Sequence, residues 1–154
     1  KEKESLETRL SQVSGADGNN KLLTAVIKAA NLYISNDSTG AAEAIADVDV
    51  SSLPVEEAKT LYNTISGATM MNAANDLYNR GMTAYNKADY TTAADLLARA
   101  YKCDKTKADA VFYAAKSYVA LNQPDNAKKY YQIIADEFKS SGYVTEAQAY
   151  VQSH

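Results

Sequence analysis

Residues 74–107 read ANDLYNRGMTAYNKADYTTAADLLARAYKCDKTK, and residues 108–141 read ADAVFYAAKSYVALNQPDNAKKYYQIIADEFKSS. Laid over one another at an offset of 34 residues, the two stretches agree in side-chain size more than in identity. Ala74 meets Ala108, Leu77 meets Val111, Tyr78 meets Phe112 and Gly81 meets Ala115. Farther along, Tyr85 meets Val119, Ala93 meets Ala127, Leu97 meets Tyr131 and Ala100 meets Ile134. Leu77, Gly81, Ala84 and Tyr85 fall on one stripe of a helix. A period of this length fits one helix–turn–helix unit, which buries its apolar face against neighbouring copies.

The small residues explain how such a unit closes. Gly81 and Ala115 sit where the first helix of each unit crosses its second, and Ala93 and Ala127 answer them from the other side. A Gly inside a helix costs about 1 kcal/mol against Ala, so close approach of the two axes is the reason to keep one there. Turn chemistry falls at the joints. Asp89 or Thr91 is placed to cap a second helix, and Thr106 with Asp109 resembles a capping box. Pro124 suits the first turn of the following helix. Gly142 marks a stop after Phe138, and Tyr143 to Val151 supplies one more helix with Val144, Ala147 and Val151 on a stripe. Its expected role is to cover the open end.

These motifs resemble the tetratricopeptide repeat. The first unit carries Leu77, Gly81, Tyr85, Asp89, Tyr90, Ala93, Leu97 and Ala100, and the second carries Val111, Ala115, Tyr118, Ala127, Tyr131 and Ile134. Neither unit has the usual Trp at its fourth position, and Lys105 and Lys139 stand where a closing Pro is common. The resemblance implies an all-α fold, a right-handed superhelix of helix–turn–helix units with degenerate N-terminal helices and a C-terminal capping helix. It also implies a concave groove lined by the first helix of each unit. Carried over by position, the groove residues are Asn75, Tyr78, Asn79, Met82, Tyr85 and Asn86, then Asp109, Phe112, Tyr113, Lys116, Val119 and Ala120. Phe112 and Tyr85 fit inter-repeat core equally well. The chaperone-binding members of the family hold a terminal carboxylate with Lys and Asn, where this chain has Tyr78 and Met82, so that specificity is not expected.

Outside the two clear units the pattern weakens. Lys21 to Tyr33 has Leu22, Leu23, Val26, Ala29, Ala30 and Tyr33 at helical spacing. Asn36 to Gly40 suggests a loop, and Ala41 to Val48 a short helix. One period before Gly81 lies Asp47, which does not fit, so an earlier repeat is degenerate or of another length. Ser51 to Glu57, with Pro54 and two acidic residues, predicts a helix start. That helix runs through Leu61, Ile65, Met70 and Ala73, with Gly67 as a potential break. Leu6, Leu10 and Val13 suggest a terminal helix or the tail of an upstream coiled coil, followed by a turn at Gly15 to Asn20. The expected organisation is one helical-repeat domain over 1–154. Its parts are an N-terminal helix and linker (1–20), a degenerate helical region (21–73), two units (74–107 and 108–141) and a capping helix (142–154).

Composition narrows the function classes. The chain holds 16 Lys and Arg against 19 Asp and Glu, a net charge of −3, which argues against a nucleic-acid partner. One Cys and one His leave no cysteine cluster and no transition-metal site to expect. No apolar run is long enough to insert in a membrane. No nucleotide loop, zinc-protease signature or nucleophile elbow is present. Glu56-Glu57 and Asp136-Glu137 are sequence neighbours on helices and point in different directions. Cys103, without a His to activate it, suits a buried filler. The expectation is a non-enzymatic module without a cofactor, binding a protein or peptide partner. Because the chain begins at Lys1, a longer parent with an upstream anchor or coiled coil is expected. Two further readings follow, an assembly part of a bacterial cell envelope or an accessory domain of a larger enzyme or regulator. The compartment is expected to be extracytoplasmic, with the cytoplasm as the alternative.

Overall fold

The computed structural model describes residues 2–14 and 20–154, and the predicted turn at 15–20 falls almost wholly outside them. Among the described residues the chain is all-α. The helices are α1 (Glu2–Ser14), α2 (Lys21–Ile34), α3 (Ser38–Ile45), α4 (Glu56–Asn86), α5 (Tyr90–Cys103), α6 (Ala108–Ala120), α7 (Pro124–Glu137) and α8 (Val144–Ser153), with a 3-10 turn at Val50–Ser52. None of them is long and apolar enough to cross a membrane. Where the sequence led to one domain, the chain divides into two compact units, Lys1–Ala73 and Ala74–His154. The division falls inside α4, at the residue where the first clear repeat begins.

In the second unit the repeat is visible in the backbone. At the end of α4, the Asp89 amide donates to the Ala84 carbonyl (2.9 Å) and the Ala88 amide to that of Tyr85 (3.0 Å). At the end of α6, 34 residues on, Gln123 donates to Tyr118 (2.9 Å) and Asn122 to Val119 (3.0 Å). Both turns pivot on a left-handed residue, Ala88 at φ 60° and Asn122 at φ 56°. This is the Schellman ending, which satisfies the last carbonyls of a helix before the chain reverses. Asp89 then caps α5 by accepting from the Thr92 amide at 3.2 Å. Pro124 opens α7 as expected. The predicted box at Thr106 and Asp109 does not form. Asp104 instead accepts from both the amide and the hydroxyl of Thr106 (3.0 and 2.6 Å), which uses up the Thr hydroxyl in the loop.

Helix crossing in this unit depends on small residues. Ala93, Ala115 and Ala127 are fully buried, and a Cβ added to Gly81 would lie 2.8 Å from Leu97 Cγ. Along the unit α5 packs on α6, α6 on α7 and α7 on α8.

The first unit packs α1 on α2 and α2 on α3 around Leu6, Val13, Leu23, Val26, Ile45, Leu61 and Ile65. It differs from expectation at three places. Asn36 to Gly40 is not all loop: α3 begins at Ser38, because Asp37 accepts the Gly40 amide and starts the helix early. Pro54 lies outside α4, which starts at Glu56 after Asp49 has gathered Ser51 and Ser52 into the 3-10 turn. Gly67 neither breaks nor kinks α4 out of helix; the helix runs 31 residues through it.

The α2–α3 joint is the same turn again. Asp37 donates to Leu32 (2.8 Å), Asn36 to Tyr33 (3.0 Å), and Asn36 is left-handed at φ 66°. Asp37 and Asp89 are both N-caps, 52 residues apart. At that offset Ala29 meets Gly81, Tyr33 meets Tyr85, Ala41 meets Ala93 and Ile45 meets Leu97. Ala29, Ala41 and Ile45 are fully buried like their counterparts Ala93 and Leu97. The degenerate region thus contains a third helix–turn–helix hairpin. Its spacing exceeds the 34-residue period by 18 residues, about five turns of α-helix, and these sit in the lengthened start of α4.

Candidate functional site

The residues carried over from the resemblance lie on α6 and on the part of α4 after Ala73, all within the second unit. On α4, Asn75, Asn79 and Asn86 are exposed, and Tyr78, Met82 and Tyr85 are partly buried. On α6, Asp109, Val119 and Ala120 are exposed, Tyr113 and Lys116 partly buried, and Phe112 buried with 7% exposure. Tyr85 joins the two helices, meeting Tyr113 edge-on at 5.1 Å and Tyr90 of α5 at 5.5 Å. Tyr113 in turn meets Phe112 at 5.3 Å. Near the other end, the Lys107 ammonium lies 5.3 Å from the Tyr78 ring centre.

Helix α8 covers part of this face. The Tyr143 ring stacks on Phe112 at 4.1 Å with 16° between planes, and its hydroxyl donates to Asp109 Oδ1 at 2.8 Å. Glu146 Oε1 accepts from Lys116 Nζ at 3.2 Å and from the Tyr131 hydroxyl at 3.1 Å. Tyr150 packs against Tyr131 at 4.7 Å. Asp109, Phe112 and Lys116 are therefore engaged by α8, and the Phe112 ring is core. The α4 residues, together with Val119, are the part that stays open.

Tyr143, Glu146 and Tyr150 are site residues that the sequence reading missed, although the signal was present. The 34-residue offset, applied once more, carries Asp109, Phe112 and Lys116 onto these three positions. Helix α8 stands where the first helix of a further unit would stand. Thr145 and Ala149, the counterparts of fully buried Val111 and Ala115, are exposed, with no second helix over them among the described residues.

Several phenols of this face are held in their neutral form. Burial, then the bond to Asp109 and that carboxylate's charge, push the Tyr143 hydroxyl up to about 12. Burial, followed by Glu146, also pushes Tyr131 above its ordinary value, and burial raises Tyr78 and Tyr85. These phenols are neutral donors near pH 7. A folded-state value above the unfolded one means the folded state holds the proton more tightly. The stabilisation is fully present below pH 10 and is lost as pH rises towards 12. Urea midpoints should therefore stay level up to pH 9 and fall between pH 10 and about 12. Tyr143→Phe should lessen that alkaline slope, and an unchanged slope would show that this phenol does not contribute. Cys103 is buried, and among the described residues no trio of His, Cys, Asp and Glu could hold a metal.

Comparison with known families matches residues 109–141 to the tetratricopeptide repeat. No curated protein and no solved structure matches the chain. The match covers α6 and α7 together with their joint.

Proposed function

We propose, from a chain that carries a tetratricopeptide repeat, that its second unit binds an extended segment of a partner protein. Helical repeats of this family are in general non-enzymatic interaction modules, and the finer reading concerns where the segment lies. The observation that carries it is the open strip on α4. Asn75, Asn79 and Asn86 are exposed there, interleaved with the partly open Tyr78, Met82 and Tyr85. Asn amides both donate and accept, so they can pair with the N–H and C=O groups of an extended backbone. Tyr and Met add contact area, Tyr at low entropic cost and Met with adaptable shape. Lys116 has a different role, as its ammonium is held by Glu146 and ties α8 to α6.

A random peptide library panned on the 154-residue chain tests this. Enriched peptides should bind wild type and lose at least about tenfold in affinity to an Asn79→Ala, Met82→Glu double variant, about 1.4 kcal/mol. The variant should keep its helicity and melting temperature, because Asn79 is exposed and Met82 only partly buried. Enriched peptides that bind the variant equally well would sink the α4 strip as the site.

A further inference from the structure

The first unit has its own version of the groove surface, and there the surface is apolar. At the step of 52 residues that relates the two hairpins, Asn75, Tyr78, Asn79, Met82 and Asn86 fall on Leu23, Val26, Ile27, Ala30 and Ile34 of α2. Leu23, Val26 and Ala30 are at most 1% exposed. Ala29 is the counterpart of Gly81 and marks the side of α2 that crosses α3. Leu23, Ile27, Ala30 and Ile34 stand roughly 100–160° round the helix from it, which leaves that flank to another element.

Helix α1 is the other element that packs on α2. It carries Leu6, Leu10 and Val13 at i, i+4 and i+7, one stripe of a helix. Leu6 is 1% exposed and Val13 fully buried, in the same cluster as Leu23, Val26 and Ala30, and Leu10 packs against that cluster. Arg9 Nη1 donates to Thr64 Oγ1 at 3.2 Å, so α1 also reaches the first part of α4. The rest of α1 faces water: Glu4, Ser5, Glu7, Thr8, Ser11 and Gln12 are exposed. Thr8 and Ser11 turn their hydroxyls onto the carbonyls of Glu4 and Glu7, a local pairing that slightly weakens a helix. At 13 residues α1 is also marginal as a helix by itself in water. Its place in the unit therefore rests chiefly on the three apolar anchors.

We propose that α1 is an intrachain ligand of the first unit, and that its seat also takes an amphipathic helix of a partner protein with large apolar side chains at α1's spacing. The chemistry of that partner is read from the helix already seated, since docking of a helix in a groove is specified by anchors at i, i+4 and i+7. A partner helix enters only where α1 has left, so its apparent affinity is scaled by the fraction of molecules with α1 detached. Helix α1 is thereby the gate as well as the template. The seat lies in the first unit and shares no residue with the α4 strip.

The probe is a fluorescein-labelled peptide with the sequence of residues 1–14, titrated with the full 154-residue chain by fluorescence anisotropy. Wild type should bind it weakly, because its own tethered α1 competes at an effective concentration on the order of millimolar. Leu6→Glu, Val13→Glu in the chain removes that competitor and leaves α2 untouched, and should tighten peptide binding at least about tenfold. The same two changes placed in the peptide should abolish its binding to either chain. Leu10→Glu in the chain, at a partly buried position, should give a smaller gain in the same direction and serves if the double variant is not helical. Hydrogen exchange on wild type supplies a second measurement, in which α1 amides should exchange faster than those of α2 and α3. Peptide bound equally by wild type and variant, or by neither, would overturn the proposal, as would α1 and α2 amides exchanging together. A wild type that dimerises as its concentration rises, while the double variant stays monomeric, would overturn it too, by assigning the seat to α1 of a second copy.

Discussion

Gly81→Leu is expected to lower the stability of the second unit by about 1–3 kcal/mol or more, the usual penalty for overpacking a close helix contact. A Cβ alone at Gly81 would sit 2.8 Å from Leu97 Cγ, 2.9 Å from its Cδ2 and 3.3 Å from Leu96 Cβ. Leu97 is fully buried and Leu96 nearly so. Neither can swing aside into solvent, so the helices must part or the side chains must leave their rotamers. A thermal melt should fall by roughly 4–8 °C per kcal/mol if the unit unfolds as one small domain. Adding Leu97→Ala, which alone should cost about 2–5 kcal/mol, should leave the double variant less damaged than the sum, since each change makes room for the other. Gly67 supplies the opposite case. It lies in the same helix with nothing within 4 Å of an added Cβ. Gly67→Ala should therefore stabilise by about 0.5–1 kcal/mol through helix propensity and the unfolded chain. Two glycines in one helix should thus give shifts of opposite sign. Equal shifts would mean that packing at Leu97 is not what makes Gly81 necessary.

Tyr131→Ala should be the most damaging substitution in the second half of the unit, at about 3–5 kcal/mol, the range for deleting a buried aromatic ring. Tyr131 is 2% exposed. From α7 it touches Phe112 of α6 at 6.2 Å and Tyr150 of α8 at 4.7 Å, and its hydroxyl donates to Glu146. One ring therefore joins three helices. Tyr131→Phe keeps the ring and removes only a hydrogen bond to an ion, and Glu146 retains Lys116 at 3.2 Å. Its expected loss is about 1–2 kcal/mol. Chemical denaturation of the three proteins gives both differences. Proteolysis should cut α8 first in the Ala variant, since α8 depends on this ring and on Tyr143 for its packing. A Phe variant as unstable as the Ala variant would put the weight on the hydroxyl and not on the ring.

Much of this is legible in the chain. The 34-residue match found Gly81, Ala93, Ala115 and Ala127 as crossing points because small residues at fixed spacing have a steric reason to be there. The third hairpin carried the same signature at a step of 52, Tyr33 with Asp37 and Ala41 against Tyr85 with Asp89 and Ala93. A search at one fixed period passes over it, since the added five turns of α4 change the spacing while preserving the helical face. The groove residues show the opposite limit. Asn75 and Asn79 are open as their position on a first helix implies, but nothing local to Phe112 tells that Tyr143 lies on it.

Apart from the loop at Asp104 and Thr106 and the early start of α3, the sequence alone determined the helices and most of their joints. Those follow from periodicity, from Asp37 and Asp89, and from side-chain volume at the crossing, all of which act over a few turns of chain. Only the tertiary structure decided which face stays open. The same first-helix surface is an open strip on α4 and partly covered on α6, because Tyr143 lies on Phe112 and Asp109 and Glu146 holds Lys116. Exposure is a property of the neighbours that a residue acquires, and in this unit α8, rather than the repeat itself, sets them.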